Sequence, residues 1–246
     1  ADPQDVILVR DRERLGEVHA KRSAEAQAFF RRHAADWDRL RALHVAEDRV
    51  EKAIMDAFAD MRLRTLLDLG TGTGRMLELF APHIERGLGI DANSEMLSLA
   101  RASLDRAGIR HCVVRSGDIY ALNVPRDAYD GVIIHQVLHF LDDGARAIRE
   151  AARVMRPGGR LVVIDFAPHD LEFLRETQAH RRLGFARETV AGWMSAAGLT
   201  PTDFKSLKPA RSGGDDLTVS IWVARDPRIQ SDAPTIGTGV QVSEVV

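Results

Sequence analysis

Three glycines at alternate positions, Gly70, Gly72 and Gly74, follow the apolar run Leu66-Leu67-Asp68-Leu69. Asp91 closes the next apolar stretch, Gly87-Leu88-Gly89-Ile90, 17 residues after Gly74. The pattern reads as a buried strand, a glycine turn, a helix and a second strand that ends in an acid. Alternate glycines let the backbone turn sharply and let a ligand approach with no Cβ in the way, and a carboxylate at the next strand tip suits a ribose diol. That is the geometry of an adenosine-containing cofactor site. A dinucleotide fingerprint would need a glycine where Arg75 stands, and a phosphate-cradling loop would need Gly-Lys-Ser/Thr, which this turn lacks, so the spacing disfavours pyrophosphate.

A second group of reactive side chains lies further along. His135, His139 and His169 fall near the C-terminal ends of the fourth and fifth apolar runs, where open α/β sheets bind ligands. A histidine there suits a general base, because its pKa lies near working pH. Each also has a structural reading: His135 bonding to backbone beside a cofactor, His139 capping or facing solvent, His169 as a plain loop residue. Asp165 is read either as orienting a substrate or as satisfying an arginine. Arg181 and Arg182, beside His180, would bind an anionic group or form a solvated helix face, and the solvated face is favoured. The spacing His135-x-x-x-His139, with His180, is the one metal-like arrangement; no cysteine pair supports it, and no metal is expected.

Asp68-x-Gly70-x-Gly72-x-Gly74 after an apolar strand resembles the first motif of the class I S-adenosylmethionine-dependent methyltransferases. Gly117-Asp118-Ile119, after Cys112-Val113-Val114, resembles the place where that family offers a carboxylate to the adenine amino group and an apolar side chain to the ring. Asp130 to His135 resembles its fourth strand, Leu138-His139-Phe140-Leu141 the segment bordering the substrate, and Val154 to Asp165 its helix end, turn and fifth strand. The resemblance covers residues 64–166. It implies S-adenosyl-L-methionine as cofactor, held by Asp68, Gly70, Thr71, Gly72, Gly74, Asp91, Ala92, Met96, Gly117, Asp118, Ile119, His135 and Gln136. It also implies a small-molecule acceptor methylated at O, N or C, with His135, His139 and His169 as the catalytic candidates. Arsenic-methylating relatives use several cysteines, and here Cys112 is the single thiol. The Asn-Pro-Pro-Tyr type segment of some base methyltransferases is replaced by His135-Gln136-Val137-Leu138. The arginine-rich front, Ala34-Ala35-Asp36-Trp37-Asp38 and His180-Arg181-Arg182-Leu183-Gly184-Phe185 also look like the methyltransferase half of bacterial ArsR-type regulator fusions, although no winged-helix segment is recognisable. That likeness keeps a second role open, a module that senses S-adenosylmethionine or S-adenosylhomocysteine.

These residues need a scaffold, and alternating strand and helix patterns supply one. Strands are expected near 64–69, 86–90, 111–115, 130–135, 160–166, 203–207 and 217–224, and helices near 73–83, 93–107, 144–155 and 187–197. The fold expected is a Rossmann-like α/β sandwich with a mostly parallel seven-stranded sheet and an antiparallel edge. Residues 1–60 read as a helical extension serving as lid, dimer contact or linker, 61–226 as the cofactor domain and 227–246 as a mobile tail. In the extension, a helix from Val9 to His33 with Leu15, Val18, Ala26 and Phe29 on its apolar positions is a candidate homodimer contact. Trp37, Leu40 and His44 are candidate lid residues, and Phe29, Phe30 and Trp37 candidates for simple packing. Two shorter helices are expected before the first strand, Asp36 to Leu40 and then Ala46 to Met61. The start at Ala1 reads as processed or truncated.

At 246 residues and 45% hydrophobic, the chain can bury a full core in one large domain with an appendage. A formal net charge of −2 gives no field favouring nucleic acid or an anionic membrane as partner. No apolar run of about 18 residues and no signal-peptide pattern is visible, so no membrane partner is expected. The lone cysteine excludes an internal disulfide, and a cytoplasmic location follows by default.

Overall fold

The computed structural model describes residues 46–209 and 217–229, together with Arg14, Ala28, Phe29, Arg31 and Arg32. Of the expectations for the extension, the first helix is described only at those five residues. Phe29 is buried there, whereas Phe30, Trp37, Leu40 and His44 lie outside the described residues, as does the tail beyond Ile229.

Elements are numbered from the first whose bounds are described. They run α1 (Glu47–Asp56), β1 (Thr65–Leu69), α2 (Arg75–Phe80), β2 (Arg86–Asp91), α3 (Ser94–Arg106), β3 (Cys112–Ser116), β4 (Tyr129–His135) and α4 (Gly144–Val154). β5 (Met155–Phe166), α5 (Phe173–Thr177), α6 (Arg187–Ala196), β6 (Thr200–Leu207) and β7 (Val219–Arg225) follow. Short 3-10 turns occupy Ala81–His83 and Leu138–Phe140. The seven strands form one sheet in the order β3-β2-β1-β4-β5-β7-β6. The first five pair in parallel, and β7 lies antiparallel between β5 and β6, which gives the antiparallel edge.

Alternation along the strands builds the core. Successive side chains of a strand point to opposite faces, so Leu66, Ile133, Val162 and Ile164 pack against α1, α2 and α3 on one side. Leu67, Val132, Ile134, Leu161 and Val163 pack against α4 and α6 on the other. All five residues of β1 are buried, as expected of a central strand with helices on both faces. Asn93 caps α3 through Oδ1, which accepts from Met96 N at 3.0 Å, and Gly108 (φ +67°) follows its last turn.

Several boundaries differ from expectation. The helix expected over 73–83 ends as α2 at Phe80, where Pro82 forces the chain into a 3-10 turn. α1 stops at Asp56 instead of Met61. The fifth strand starts at Met155, not 160: the pairing jumps from Tyr129↔Met155 to Gly131↔Arg160, so Arg156-Pro157-Gly158-Gly159 bulges out of the ladder. The helix α5 and the turn at Leu138–Phe140 carry too few residues to show a period.

Candidate active site

The glycine turn is built by the strands around it. Gly70, Gly72 and Gly74 all have positive φ, at 74°, 52° and 85°, a backbone path that L side chains resist. Gly70 N and Thr71 N both donate to Ile90 O, at 2.8 and 3.1 Å, which holds the turn against the tip of β2. Gly72 N donates to Asp91 Oδ2 at 2.9 Å, Asn93 N donates to Asp91 Oδ1 at 2.8 Å, and Gly117 N donates to Asp91 O at 3.1 Å. Asp91 therefore joins the glycine turn, the start of α3 and the loop after β3 into one unit.

Each Asp91 oxygen accepts one backbone N–H here and keeps further acceptor capacity for a hydroxyl. Burial pushes its carboxyl above the ordinary aspartate range, and the N–H groups of Asn93 and Gly72 pull the other way. Ala92 is exposed beside it. Asp118 is exposed, its Oδ1 accepting from Tyr120 N at 2.8 Å, and Ile119 packs half-buried against the same core group as Val137.

Two of the expected cofactor residues sit elsewhere than on an open face. Asp68 is 1% exposed, and its Oδ2 accepts from Thr71 Oγ1 at 2.6 Å, so its carboxylate braces the turn from behind. Met96 is also buried, and its backbone N–H is taken by Asn93. At the tip of β4, His135 is nearly buried and Gln136 carries φ +54°, with its N–H donating to Ile164 O at 2.7 Å. A left-handed non-glycine residue at a strand tip stores about 1–2 kcal/mol, the kind of strain that concentrates at functional sites.

Two contributors to the turn were missed from sequence. A Cβ on Gly70 would lie 2.4 Å from Val137 Cγ2, so the segment after β4 packs directly on the turn. A Cβ on Gly89 would lie 2.6 Å from Thr71 Oγ1. Gly89 carried a readable signal: a glycine inside an apolar strand marks a close approach by other backbone.

At the tips of β4 and β5, His139 is neither a cap nor a solvent-facing residue. It is 2% exposed; its Nδ1 lies 2.9 Å from Asp165 Oδ1 and its backbone N–H donates to Asp165 Oδ2 at 3.3 Å. Asp165 is fully buried and also accepts from Phe166 N at 2.8 Å, so it serves His139 and neither an arginine nor an open cleft. The His139 ring packs 3.9 Å from Phe140, 4.2 Å from His180 and 5.2 Å from Phe166, centroid to centroid. His169 lies at the margin of this group, 6.4 Å from His180, its Nδ1 accepting from Leu171 N at 3.3 Å. The structure thus gathers His139, His169 and His180, and places His135 at the end of β4 beside Gln136.

The solvated helix face expected at Arg181 and Arg182 is not formed, because residues 178–186 are not helical. Arg181 pairs with Asp142, and Arg182 Nη2 donates to Asp142 O at 3.4 Å. The backbone N–H groups of both donate to His139 O, at 2.9 and 3.2 Å, which folds the connection after β5 over the His139 turn. Among the described residues, no group of three or more His, Cys, Asp or Glu is arranged to hold a metal, and no helix is long and apolar enough to cross a membrane.

Residues 67–163, the stretch from β1 to β5 that carries this turn, match the family model described as a methyltransferase domain. A probable S-adenosylmethionine-dependent methyltransferase of Mycolicibacterium smegmatis is 29% identical over 227 residues, spanning 86% of this chain and 76% of that protein. An uncharacterized methyltransferase of Bacillus subtilis, YcgJ, is 31% identical over 106 residues, 43% of this chain and 42% of YcgJ. Against this second relative, the chain spans less than half the partner's length. A phosphoethanolamine N-methyltransferase of Haemonchus contortus, solved in complex with S-adenosyl-L-methionine, superposes with a TM-score of 0.63 at 14% identity, covering 73% of this chain and 53% of that one. The sheet and its flanking helices therefore share that fold, with the glycine turn, Asp91 and the loop after β3 at one end of the sheet.

Proposed function

We propose that the chain transfers a methyl group from S-adenosyl-L-methionine to a small-molecule acceptor. The observation that carries this reading is the Asp91 carboxylate. It is fixed by Gly72 N–H and Asn93 N–H at the tip of β2, beside a turn in which Gly70, Gly72 and Gly74 carry no Cβ, where a ribose diol finds charge-assisted acceptors. The Haemonchus contortus neighbour, which holds S-adenosyl-L-methionine, supports the choice of cofactor. The absence of a dinucleotide glycine at Arg75 supports it independently.

The sulfonium supplies a good leaving group, so the protein's main task is to hold a nucleophile in line with the methyl at about 3–3.5 Å. Asp91, Asp118 and Ile119 serve the adenosine. The His139–Asp165 pair serves an acceptor that must lose a proton: with Asp165 accepting from Nδ1–H, the pair leaves Nε2 as the basic nitrogen. His135 and His169 are the further candidates for contact with the acceptor. A single thiol is compatible with a reducing cytoplasm.

The test is calorimetric titration with S-adenosylmethionine and S-adenosylhomocysteine, followed by an S-adenosylhomocysteine-release assay over phenols, amines and carbon acids. Binding of both ligands with acceptor-dependent release is the expected outcome. Failure of both to bind would overturn the cofactor assignment, and binding without release for any acceptor would overturn turnover.

A further inference from the structure

A cavity of about 780 Å³ opens at the opposite ends of the strands from the glycine turn. Its walls come from the residues just before β1, the first residues of β4 and β6, the bulge within β5 and the residues just after β7. The volume falls within the roughly 300–1,000 Å³ range of small-ligand sites.

The charge around it is unevenly matched. Arg228 is committed, its Nη2 donating to Asp226 Oδ2 at 2.6 Å, to Asp127 Oδ1 at 2.7 Å and to Met155 O at 3.0 Å. Asp130 is committed as well: Oδ2 accepts from Arg64 N, Thr65 N and Thr65 Oγ1, and Oδ1 from Arg156 Nη1. Arg62 and Arg225 line the same cavity and are exposed, and their side chains make no ion pair or hydrogen bond among the described residues. The carboxylates that feel them are held by other arginines, Asp60 by Arg160 and Glu85 by Arg64. A Cβ on Gly158 would sit 3.7 Å from Arg225 Nη2, so this guanidinium lies over the bulge. Met61, Pro157, Pro227 and Ile229 add apolar surface to a wall that Thr200 and Thr202 complete, and Ile229 is 91% exposed.

We propose that this cavity is a second binding site, which takes an oxyanion, phosphate or carboxylate, carried on an apolar body. Two guanidiniums that the described residues leave unpaired give forked donors that match either oxyanion, and Met61, Pro157, Pro227 and Ile229 cover the body that carries it. The site lies at the far ends of the strands, so its occupant does not compete with the cofactor.

The full chain, labelled with nitrogen-15, is titrated by NMR with phenyl phosphate, benzoate and inorganic phosphate. The expected result is a saturating shift of the Arg62 and Arg225 side-chain N–H signals and the Gly158 and Gly159 amides with phenyl phosphate or benzoate. Inorganic phosphate should bind roughly tenfold more weakly, since it leaves the apolar surface uncovered. Whichever of phenyl phosphate and benzoate binds tighter identifies the oxyanion. The double variant Arg62→Ala/Arg225→Ala loses the saturating response and keeps its S-adenosylmethionine affinity. Arg62→Gln and Arg225→Gln, each at an exposed side chain, give the same reading singly should the double variant not fold. Shifts that stay linear in ligand, or variants that bind as the parent does, would overturn the proposal.

Discussion

Replacing Gly89 by alanine tests how the glycine turn is held. In register Gly89 sits beside Asp68 of β1, and its added Cβ would lie 2.6 Å from Thr71 Oγ1 and 2.8 Å from both Thr71 Cβ and Cγ2. No real Cβ keeps such contacts, so Thr71 must move, and its hydroxyl must leave the buried Asp68 carboxylate that it now meets at 2.6 Å. Overpacking costs about 1–3 kcal/mol, and stripping a buried carboxylate of a hydrogen bond costs about 1–3 kcal/mol more. The expected loss of stability is about 2–6 kcal/mol, a large part of the roughly 5–15 kcal/mol that holds a domain folded. At an open, unstrained position the same change stabilises by about 0.4–1 kcal/mol, so the sign alone is informative.

Thr71→Gly removes all three clashing atoms and forfeits the same hydrogen bond. The double variant Gly89→Ala/Thr71→Gly should therefore be no less stable than Thr71→Gly alone. Urea denaturation read by linear extrapolation measures all three variants. S-adenosylmethionine affinity should fall roughly tenfold in Gly89→Ala, because Thr71 precedes the Gly72 amide that holds Asp91. A neutral or stabilising Gly89→Ala, or strict additivity with Thr71→Gly, would show that Thr71 is not held between Gly89 and Asp68.

Three further outcomes follow from single groups. Burial pushes the Cys112 thiol up to about 11, so a thiol reagent at pH 8 should leave the native chain untouched and modify it only in urea; fast native reaction would contradict that burial. Burial works to raise the Asp130 carboxyl, but hydrogen bonds from Arg156 and Thr65 hold it below its ordinary 3.8. Its contribution is therefore present above pH 3.8 and is lost as pH falls through the lower folded value. Asp130→Asn should cost about 1–3 kcal/mol at neutral pH and flatten the acid limb of the stability curve; an unchanged limb argues against this role. Once an acceptor that must lose a proton is in hand, Asp165→Asn and His139→Gln should each lower methyl transfer by about 10²–10⁴. Cofactor affinity should hold in both, and unchanged rates would remove the pair from the chemistry.

The strands and the glycine turn were readable because each is written locally, in apolar runs a few residues long and in glycines that only a turn explains. Asn93 as a cap and Gly108 as a stop were readable for the same reason. The His139–Asp165 pair was not, since its partners stand 26 residues apart and meet only because β4 and β5 are neighbours. Arg181 and Arg182 read as a solvated face because nothing in sequence places Asp142 beside them. The bulge at Arg156–Gly159 was visible as a turn, but its place inside the fifth strand depends on pairing with β4. Asp68 was assigned to the cofactor by resemblance alone, and its burial behind Thr71 is a consequence of packing across three strands.

Whether Asp91 and the glycine turn hold an adenosyl cofactor is read by calorimetric titration of the parent chain and Asp91→Ala with S-adenosylmethionine. The expected result is saturable one-site binding to the parent, weakened by about 1–3 kcal/mol in the variant, with thermal unfolding showing that the variant stays folded. No binding to the parent, or equal affinity in a folded Asp91→Ala, would contradict it.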